Sequence, residues 1–284
     1  MAARKAVAGA PGIVDRGGST PSGSRGMNAQ RFRELHDGPA LLVLPNAWDA
    51  ASAAVVCHAG ASAVATTSAG VAWSCGWPDG DCLPANEMLA AVRRIVRTID
   101  VPLSVDAEEG CSDDPAEVAA FVSALVDAGV AGINIEDGTH APDLLAAKLR
   151  AIRAALGGRD LYINARTDVF LRGMASGDAG VEEVLRRAAL YREAGADGFF
   201  VPGIKAVDDV RRVAAGIAPM PLNVMLVPGL PSREALYEAG ARRLSAGIAL
   251  SVEAYATAGR MAAELLEREA PEIGYATLNK LLDR

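Results

Sequence analysis

The sequence predicts a single-domain α/β protein built as a (β/α)8 TIM barrel. Eight short runs of β-forming apolar residues alternate with stretches of helical period, and eight such units favour a closed barrel over an open sheet. The length of 284 residues suits one barrel, which typically uses about 250 residues. Apolar residues make up 51% of the chain, as expected where helices pack closely on a buried parallel sheet.

The first residues of the chain show no pattern of a folded element. Residues 1–27 are rich in Gly, Ser, Ala, Pro and Arg and have no hydrophobic period, so we expect a disordered N-terminal tail. The barrel and its C-terminal helices are assigned to residues 28–284. Phe32 and Leu35 are expected on one face of a short helix that leads into the first strand.

The eight predicted strands are short and are separated by helical segments. They are residues 40–45, 63–67, 102–106, 132–136, 161–166, 198–202, 222–226 and 243–246. Ala-Gly-Ala or Ala-Gly-Val precedes four of them, and Gly is favoured after a helix because it enters the left-handed region without a Cβ penalty. A last helical block, residues 250–266, follows the eighth strand and is expected to pack on another subunit.

Composition and charge argue against several classes of protein. The formal net charge is −7 and no basic stripe is present, which argues against a nucleic-acid partner. No apolar run reaches the length of a membrane span and no secretory signal is evident, so a cytoplasmic protein is expected. No glycine motif for dinucleotides or nucleoside triphosphates follows a strand. The four cysteines lack CxxC spacing and are expected to be reduced thiols.

Charged residues recur where the predicted strands end. Asp106 ends the third strand, with Glu108 two residues later, while Glu136 ends the fourth strand and Arg166 the fifth. These groups are expected to converge, because the carboxyl ends of the strands meet at one mouth of a barrel. Several carboxylates at one mouth repel each other unless a cation offsets their charge. With oxygen ligands and no His among them, Mg2+ is favoured over Zn2+, and Mn2+ is an alternative.

Each of these acids alone has a simpler explanation. An acid at a strand end often caps the next helix or meets the positive end of its dipole. Capping does not account for a buried arginine opposite three acids, which favours a metal site. The loop after the second strand begins Ser68-Ala69-Gly70, whose small residues would let backbone N–H groups approach an anion. A plain tight loop is the alternative there.

Five motifs, taken in order along the chain, resemble those of the isocitrate lyase/phosphoenolpyruvate mutase superfamily. They are Pro45-Asn46-Ala47-Trp48-Asp49-Ala50, Ser68-Ala69-Gly70 with Pro78-Asp79-Gly80, Val105-Asp106-Ala107-Glu108, Ile135-Glu136-Asp137 and Ala165-Arg166-Thr167-Asp168. The resemblance covers nearly all of the chain from residue 28 to about residue 251. The combination is specific, whereas each motif alone is not.

The resemblance implies a magnesium enzyme that acts on a small carboxylate. The ion would be held by four carboxylates: Asp79, Asp106, Glu108 and Glu136. Arg166 would neutralise the substrate. The substrate would also be contacted by five further residues: Trp48, Ser68, Ala69, Gly70 and Asn223. Members of the superfamily are usually tetramers that exchange C-terminal helices, so a homo-oligomer, either a dimer or a tetramer, is expected, with exchange of the helices from residue 250 onward.

The resemblance also implies how such a site works. Metal and arginine would stabilise an enolate of a 2-oxo acid, such as pyruvate or glyoxylate, while a C–C or P–C bond breaks or forms. Lyases of the superfamily carry a K-[KR]-C-G-H loop whose Cys is the acid/base, whereas residues 136–143 of this chain are EDGTHAPD. His140 in this shorter loop either replaces that Cys or is an exposed loop histidine. Arg166, Glu136 and His140 are the candidate catalytic residues.

The leading functional prediction is a Mg2+-dependent lyase-type enzyme. It would cleave or form a C–C bond in a short 2-oxo or 2-hydroxy carboxylate through an enolate. The same site would also suit P–C chemistry, as in phosphoenolpyruvate mutase or phosphonopyruvate hydrolase, or oxaloacetate-type decarboxylation. P–C chemistry asks for extra cationic groups, and the nearest basic residue, Lys148, falls in the next helix. An alternative from another class is a barrel that binds a carboxylate without catalysis.

Overall fold

The computed structural model describes residues 24–283 of the chain. The tail predicted for residues 1–27 lies outside the described residues, except for residues 24–27, which form the first turn of a helix. None of the helices within the described range is long and apolar enough to cross a membrane.

The described chain forms a ring of parallel strands with helices between them, which confirms the predicted barrel. Each of the eight predicted strand segments contains β structure. The strands are β1 (Leu42–Leu44), β2 (Asn46–Ala47), β3 (Val64–Thr66), β4 (Leu103–Asp106), β5 (Gly132–Glu136), β6 (Tyr162–Arg166), β7 (Gly198–Phe200), β8 (Leu222–Met225) and β9 (Ala241–Ser245).

The ninth strand arises because β structure is interrupted at Pro45 and resumes in β2, just past the end of the first predicted strand, residues 40–45. β1 pairs with β9 and β2 pairs with β3, so this one segment closes the ring. Pro45 has no N–H to donate to a neighbouring strand, but its carbonyl accepts a hydrogen bond from Ala65 N at 3.2 Å. The sheet is therefore an eight-stranded barrel with an interrupted first strand.

Helices cover the outside of the barrel and extend past its last strand. They are α1 (Ser24–His36), α2 (Ala50–His58), α3 (Ser68–Ser74), α4 (Ala85–Val96), α5 (Pro115–Ala128), α6 (Pro142–Leu156), α7 (Gly177–Glu193), α8 (Val207–Ile217), α9 (Arg233–Glu238), α10 (Ala249–Leu265) and α11 (Tyr275–Leu282). The glycines of the four Ala-Gly turns are left-handed, with φ between +97° and +105°, as predicted.

The N-terminal ends of the strands are closed by α1. Phe32 is fully buried in a cluster that includes Leu42, Ala131 and Tyr162, which lie at or beside the starts of strands. A Cβ at Gly132 would lie 2.8 Å from the Phe32 ring, so this close approach requires glycine. The helix therefore plugs the bottom of the barrel and leaves the opposite end for a site.

A polar layer fills the barrel between this plug and the upper mouth. Asn134 Oδ1 accepts hydrogen bonds from Asn164 Nδ2 at 2.9 Å and from Arg243 Nη2 at 3.2 Å. Arg243 Nε also donates to Ser245 Oγ at 3.2 Å, and Ser245 is hydrogen-bonded to Asn223. Burial lowers the pKa of Arg243 to about 10. The layer fixes the side chains that form the floor of the mouth.

The two C-terminal helices fold back over α3. Leu278 of α11 is buried against Ala69 and Trp73, and Trp73 Nε1 donates to Asn279 Oδ1 at 2.7 Å. In contrast, Met261 and Leu265 of α10 are 60% and 84% exposed. Packing of this block on another subunit stays a prediction.

Candidate active site

A cavity of about 500 Å³ opens at the carboxyl ends of the strands. This is the end at which barrel enzymes place their active sites. Seven of the predicted site residues line it, namely Ser68, Ala69, Asp79, Asp106, Glu108, Glu136 and Arg166. The convergence expected from the strand ends is therefore present.

The end of β4 supplies two of the acids. Asp106 N donates to Thr66 Oγ1 at 2.8 Å, and Ser68 N approaches Asp106 Oδ2 at 3.4 Å. Glu108 has a φ of +50°, in the left-handed region that residues other than Gly seldom adopt. Its side chain is buried and accepts a hydrogen bond from Asp81 N at 3.1 Å. Such backbone strain is typical of functional sites, and here it turns the carboxylate into the cavity.

Asp79 is held by the C-terminal helix α11. Tyr275 Oη donates to Asp79 Oδ2 at 2.7 Å, and Asp79 N donates to Asn279 Oδ1 at 3.0 Å. Tyr275 itself lines the cavity. Burial, and the hydrogen bond to Asp79 after it, raise the pKa of Tyr275 to about 12, so the phenol remains a donor. The loop that carries Asp79 is thus fixed by residues nearly 200 positions further along the chain.

Arg166 lies between two carboxylates at the ends of β5 and β6. Its Nη1 is 2.5 Å from Glu136 Oε2, and its Nε and Nη2 bond both oxygens of Asp168 at 2.7 and 3.1 Å. Burial lowers the pKa of Arg166, but Glu136 and Asp168 more than reverse this effect, so the guanidinium stays charged. Its orientation is fixed before any ligand arrives.

The next acid along the chain, Asp137, has a structural position. It is fully buried and accepts hydrogen bonds from Arg187 Nη1 at 2.8 Å, Tyr191 Oη at 2.6 Å and the backbone N of Asp168 at 3.0 Å. These bonds join the ends of β5 and β6 to α7. Asp137 therefore supports the site from outside the cavity.

The cavity acids are buried close together, and this burial raises their pKa values. Burial raises the pKa of Glu108 to about 10 and that of Glu136 to about 8, and it also raises the pKa of Asp106. Asp79 Oδ1 and Asp106 Oδ1 are buried and accept no hydrogen bond from the part of the chain that the structure describes. Buried carboxylate oxygens without partners are the ligands that a hard divalent cation takes, so Asp79 and Asp106 carry oxygens of the type that Mg2+ binds.

Comparison with known families identifies the same group as the sequence motifs. Residues 32–266 match the family model described as phosphoenolpyruvate phosphomutase, which is most of the chain. The chain belongs to the phosphoenolpyruvate phosphomutase family. This family falls within the isocitrate lyase/phosphoenolpyruvate mutase superfamily, whose enzymes are Mg2+-dependent lyases and mutases that act on small carboxylates.

Relatives of the chain include both lyases and a protein without an assigned activity. An uncharacterized protein of Mycobacterium tuberculosis is 38% identical over 263 residues, covering 88% of this chain and 95% of its own length. The 2-methylisocitrate lyase of Bacillus subtilis is 30% identical, covering 68% and 65% of the two chains. The crystal structure of 2,3-dimethylmalate lyase is 30% identical, with a TM-score of 0.75 and coverage of 86% and 89%.

Not every residue expected from the phosphomutase family lies at the cavity wall. Four predicted site residues are absent from the lining, namely Trp48, Gly70, His140 and Asn223. Trp48 packs near Tyr255 of α10, with ring centroids 6.1 Å apart, and a Cβ on Gly70 would lie 2.8 Å from Trp48 Cβ. Asn223 lies in the polar layer and bonds Ser245, which does line the cavity. Their roles in substrate binding stay predictions.

His140 faces a different acid from those in the cavity. Its Nε2 lies 2.9 Å from Glu109 Oε2 and 3.8 Å from Asp113 Oδ1, and its side chain is 41% exposed. These three residues could together hold a metal, but Asp113 also lies 3.6 Å from Lys148 Nζ. A Cβ on Gly138 would lie 1.9 Å from Glu109 Oε1 and would displace that carboxylate, and the φ of +52° also favours glycine there. A role of His140 in catalysis stays a prediction.

Sequence reasoning missed several residues of the phosphomutase-family site. Asp168 belongs to a quoted motif, and Arg172 follows it by four residues in the same loop, so its position after a strand was an available signal. Tyr275 had no local signal, because only folding brings it to Asp79.

Proposed function

We propose that the protein is a Mg2+-dependent lyase-type enzyme that cleaves or forms a C–C bond in a small 2-oxo or 2-hydroxy carboxylate through an enolate. The observation that supports this most is the group of buried carboxylates with unpartnered oxygens beside a fixed guanidinium. Such a site suits a reaction in which negative charge develops on an oxygen. The family relationship supports the same class of chemistry.

Different residues of the cavity would bind the metal and the substrate in such a reaction. The metal would be held by Asp79, Asp106, Glu108 and Glu136, and when bound it would stabilise the charge of the enolate oxygen. Arg166 donates to Asp168 through Nε and Nη2 and forms an ion pair with Glu136 through Nη1, which leaves N–H groups for the substrate carboxylate.

Two side chains are candidates for the proton-transfer group. Glu136 lies in the cavity wall, where burial raises its pKa to about 8 without metal, but a bound cation would lower that pKa, so Glu136 would act as a base. His140 remains the other candidate, although its ring faces Glu109 in the absence of a ligand. Loop closure over a substrate would be needed to bring His140 into the cavity.

A second candidate function is supported by one further cation in the cavity wall. Arg172 lines the cavity beside Arg166 and supplies the kind of group that P–C chemistry requires. Phosphonopyruvate-type mutase or hydrolase activity, or oxaloacetate-type decarboxylation, is therefore the alternative within the family. The alternative that is not an enzyme is a barrel that binds a carboxylate without turning it over.

One assay separates these functions. Purified protein with Mg2+ is incubated with isocitrate-like acids, oxaloacetate and phosphonopyruvate, and the released 2-oxo acid and phosphate are measured. Release of glyoxylate or pyruvate without phosphate from an isocitrate-like acid supports the C–C lyase, and pyruvate from oxaloacetate alone supports the decarboxylase. Release of phosphate from phosphonopyruvate supports a P–C hydrolase, and its conversion to phosphoenolpyruvate supports a mutase. Binding of Mg2+ and oxalate without turnover of any substrate would support the non-catalytic barrel and contradict the proposal.

A further inference from the structure

The turn after β6 brings a second guanidinium to the cavity. Arg172 N donates to Asp168 O at 2.8 Å, and this turn directs the side chain of Arg172 back to the cavity wall. Its Nε bonds Asp168 Oδ2 at 2.9 Å, and its side chain is 43% exposed. A charged group thus lies at the edge of the cavity rather than on a remote surface.

A structural role as counter-ion does not account for this arrangement. Asp168 is fully buried, and both of its oxygens are already bonded by Arg166. Arg172 adds one further bond through Nε, and no hydrogen bond of its two terminal nitrogens is found within residues 24–283. Guanidinium groups stay charged, and their paired terminal N–H groups match a carboxylate or phosphonate.

We propose that Arg172 binds a second anionic group of the substrate. The substrate would then be a 2-oxo or 2-hydroxy acid with a distal carboxylate or phosphonate. This inference rests on the proposed function, because Arg166 and the metal held by the cavity acids would bind the first carboxylate.

The depth of the two arginines gives the orientation of such a substrate. Both bond Asp168, so they lie side by side, but the side chain of Arg166 is 13% exposed and that of Arg172 is 43% exposed. The 2-oxo acid group would lie deep beside Arg166 and the distal anion nearer the opening. The cavity volume of about 500 Å³ falls in the range that holds drug-sized ligands. It is therefore large enough for a 2-oxo acid with a distal anionic group.

The test compares ligands that share a 2-oxo acid group and differ in the distal anion. Pyruvate, oxaloacetate and phosphonopyruvate are titrated into the Mg2+-loaded protein by calorimetry, with oxalate as a reference. We expect Arg172→Gln to weaken binding of the ligand with the preferred distal anion by about 10- to 100-fold, as for a lost hydrogen bond to a charged group. Pyruvate and oxalate should change by less than about threefold. Arg172→Lys should retain part of the preference.

A control variant and the pattern of lost affinities distinguish the possible outcomes. Arg186→Gln removes a similar charge from α7, where Arg186 pairs with Glu183 away from the cavity, and should leave all four affinities unchanged. A loss confined to oxaloacetate assigns a carboxylate, and one confined to phosphonopyruvate assigns a phosphonate. Equal effects of Arg172→Gln on pyruvate and both longer ligands would overturn the inference while leaving the proposed function intact. Failure of every variant to bind oxalate or pyruvate would overturn both.

Discussion

The buried carboxylate of Asp106 shows how a single residue can indicate a binding role. Asp106 donates its backbone N–H to the Thr66 hydroxyl and its carboxylate accepts from Ser68 N, while its other oxygen is left without a partner in the described chain. An arrangement that keeps a buried carboxylate oxygen free is costly for folding unless a ligand uses it. The folding free energy lost by leaving this oxygen unpartnered therefore indicates that the carboxylate binds a ligand.

Replacement of Asp106 tests that role directly. Asp106→Ala should abolish Mg2+-dependent activity and weaken Mg2+ binding by at least about tenfold. Loss of a group that merely orients a metal ligand already costs about tenfold in metal affinity, and loss of a ligand should cost more. Because a buried charge is removed, the thermal midpoint without metal should not fall. Calorimetry and circular dichroism measure the two effects. Asp208→Asn, at a residue exposed on α8, is the control, and an Asp106→Ala variant with normal Mg2+ affinity would exclude the assignment.

The raised pKa values of the acids predict how stability depends on pH. Glu108 and Glu136 have ordinary values of 4.5 and folded values of about 10 and about 8. The metal-free folded state therefore keeps protons that the unfolded state loses. The contribution of these two groups to stability is fully present below about pH 4.5 and is lost as the pH rises through about 8 for Glu136 and about 10 for Glu108. Mg2+ displaces these protons and should stabilise the protein more at about pH 8.5 than at about pH 6. Urea unfolding with and without Mg2+ measures this, and equal stabilisation at both values would contradict it.

His140 provides a second test at the level of one residue. If it is only a loop histidine bonded to Glu109, His140→Ala should leave the turnover rate within a few-fold. A loss of about 10²-fold or more, accompanied by a changed pH–rate profile, would instead support an acid/base role. Steady-state kinetics on the substrate identified by the release assay distinguish the two.

The elements of the fold differ in how far the sequence predicts them. The acids at the ends of β4 and β5 were predictable because a barrel collects the carboxyl ends of its strands at one mouth. The split at Pro45 was less evident, since it depends on which neighbour each half of the strand pairs with. The placement of α11 over α3 was not predictable, because it depends on tertiary contacts between residues about 200 positions apart.

The contact of α11 with the Asp79 loop predicts an effect on metal binding. Tyr275→Phe or Asn279→Ala should weaken Mg2+ binding by about 3- to 10-fold, since each removes a hydrogen bond that fixes Asp79 or its backbone. Asn279→Ala should also change the fluorescence of Trp73, whose indole N–H loses its acceptor. Lys280→Ala, on the exposed side of the same helix, is the matched control. Normal Mg2+ affinity in both site variants would show that the helix is not needed for the site.

At the scale of the whole molecule, one surface is unusually apolar. Met261, Leu265 and Leu266, at the end of α10, are 60%, 84% and 70% exposed. Apolar side chains grouped on a surface in this way are typical of an interface. The closed barrel itself followed from the number of βα units and the chain length, whereas the way in which subunits associate depends on surface shape that a single sequence does not give.

This surface predicts that the protein forms a homo-oligomer, either a dimer or a tetramer. Light scattering after size-exclusion chromatography should give a mass of two or four chains of 29.3 kDa. Leu265→Glu with Leu266→Glu should shift the protein to a smaller species, because charges would be buried in the interface. Asp208→Lys, at an exposed position of α8, should leave the mass unchanged. An unchanged mass for the double variant would show that this surface lies outside the interface.

The close contact between Gly138 and Glu109 limits how this barrel could be re-engineered. A longer lyase loop that placed any other residue at position 138 would bring its Cβ to 1.9 Å from Glu109 Oε1. Because this oxygen is the end of a flexible side chain, the Glu109 carboxylate would have to move aside. That movement would also separate Glu109 from His140 Nε2, which lies 2.9 Å away, so a graft at this position changes both side chains.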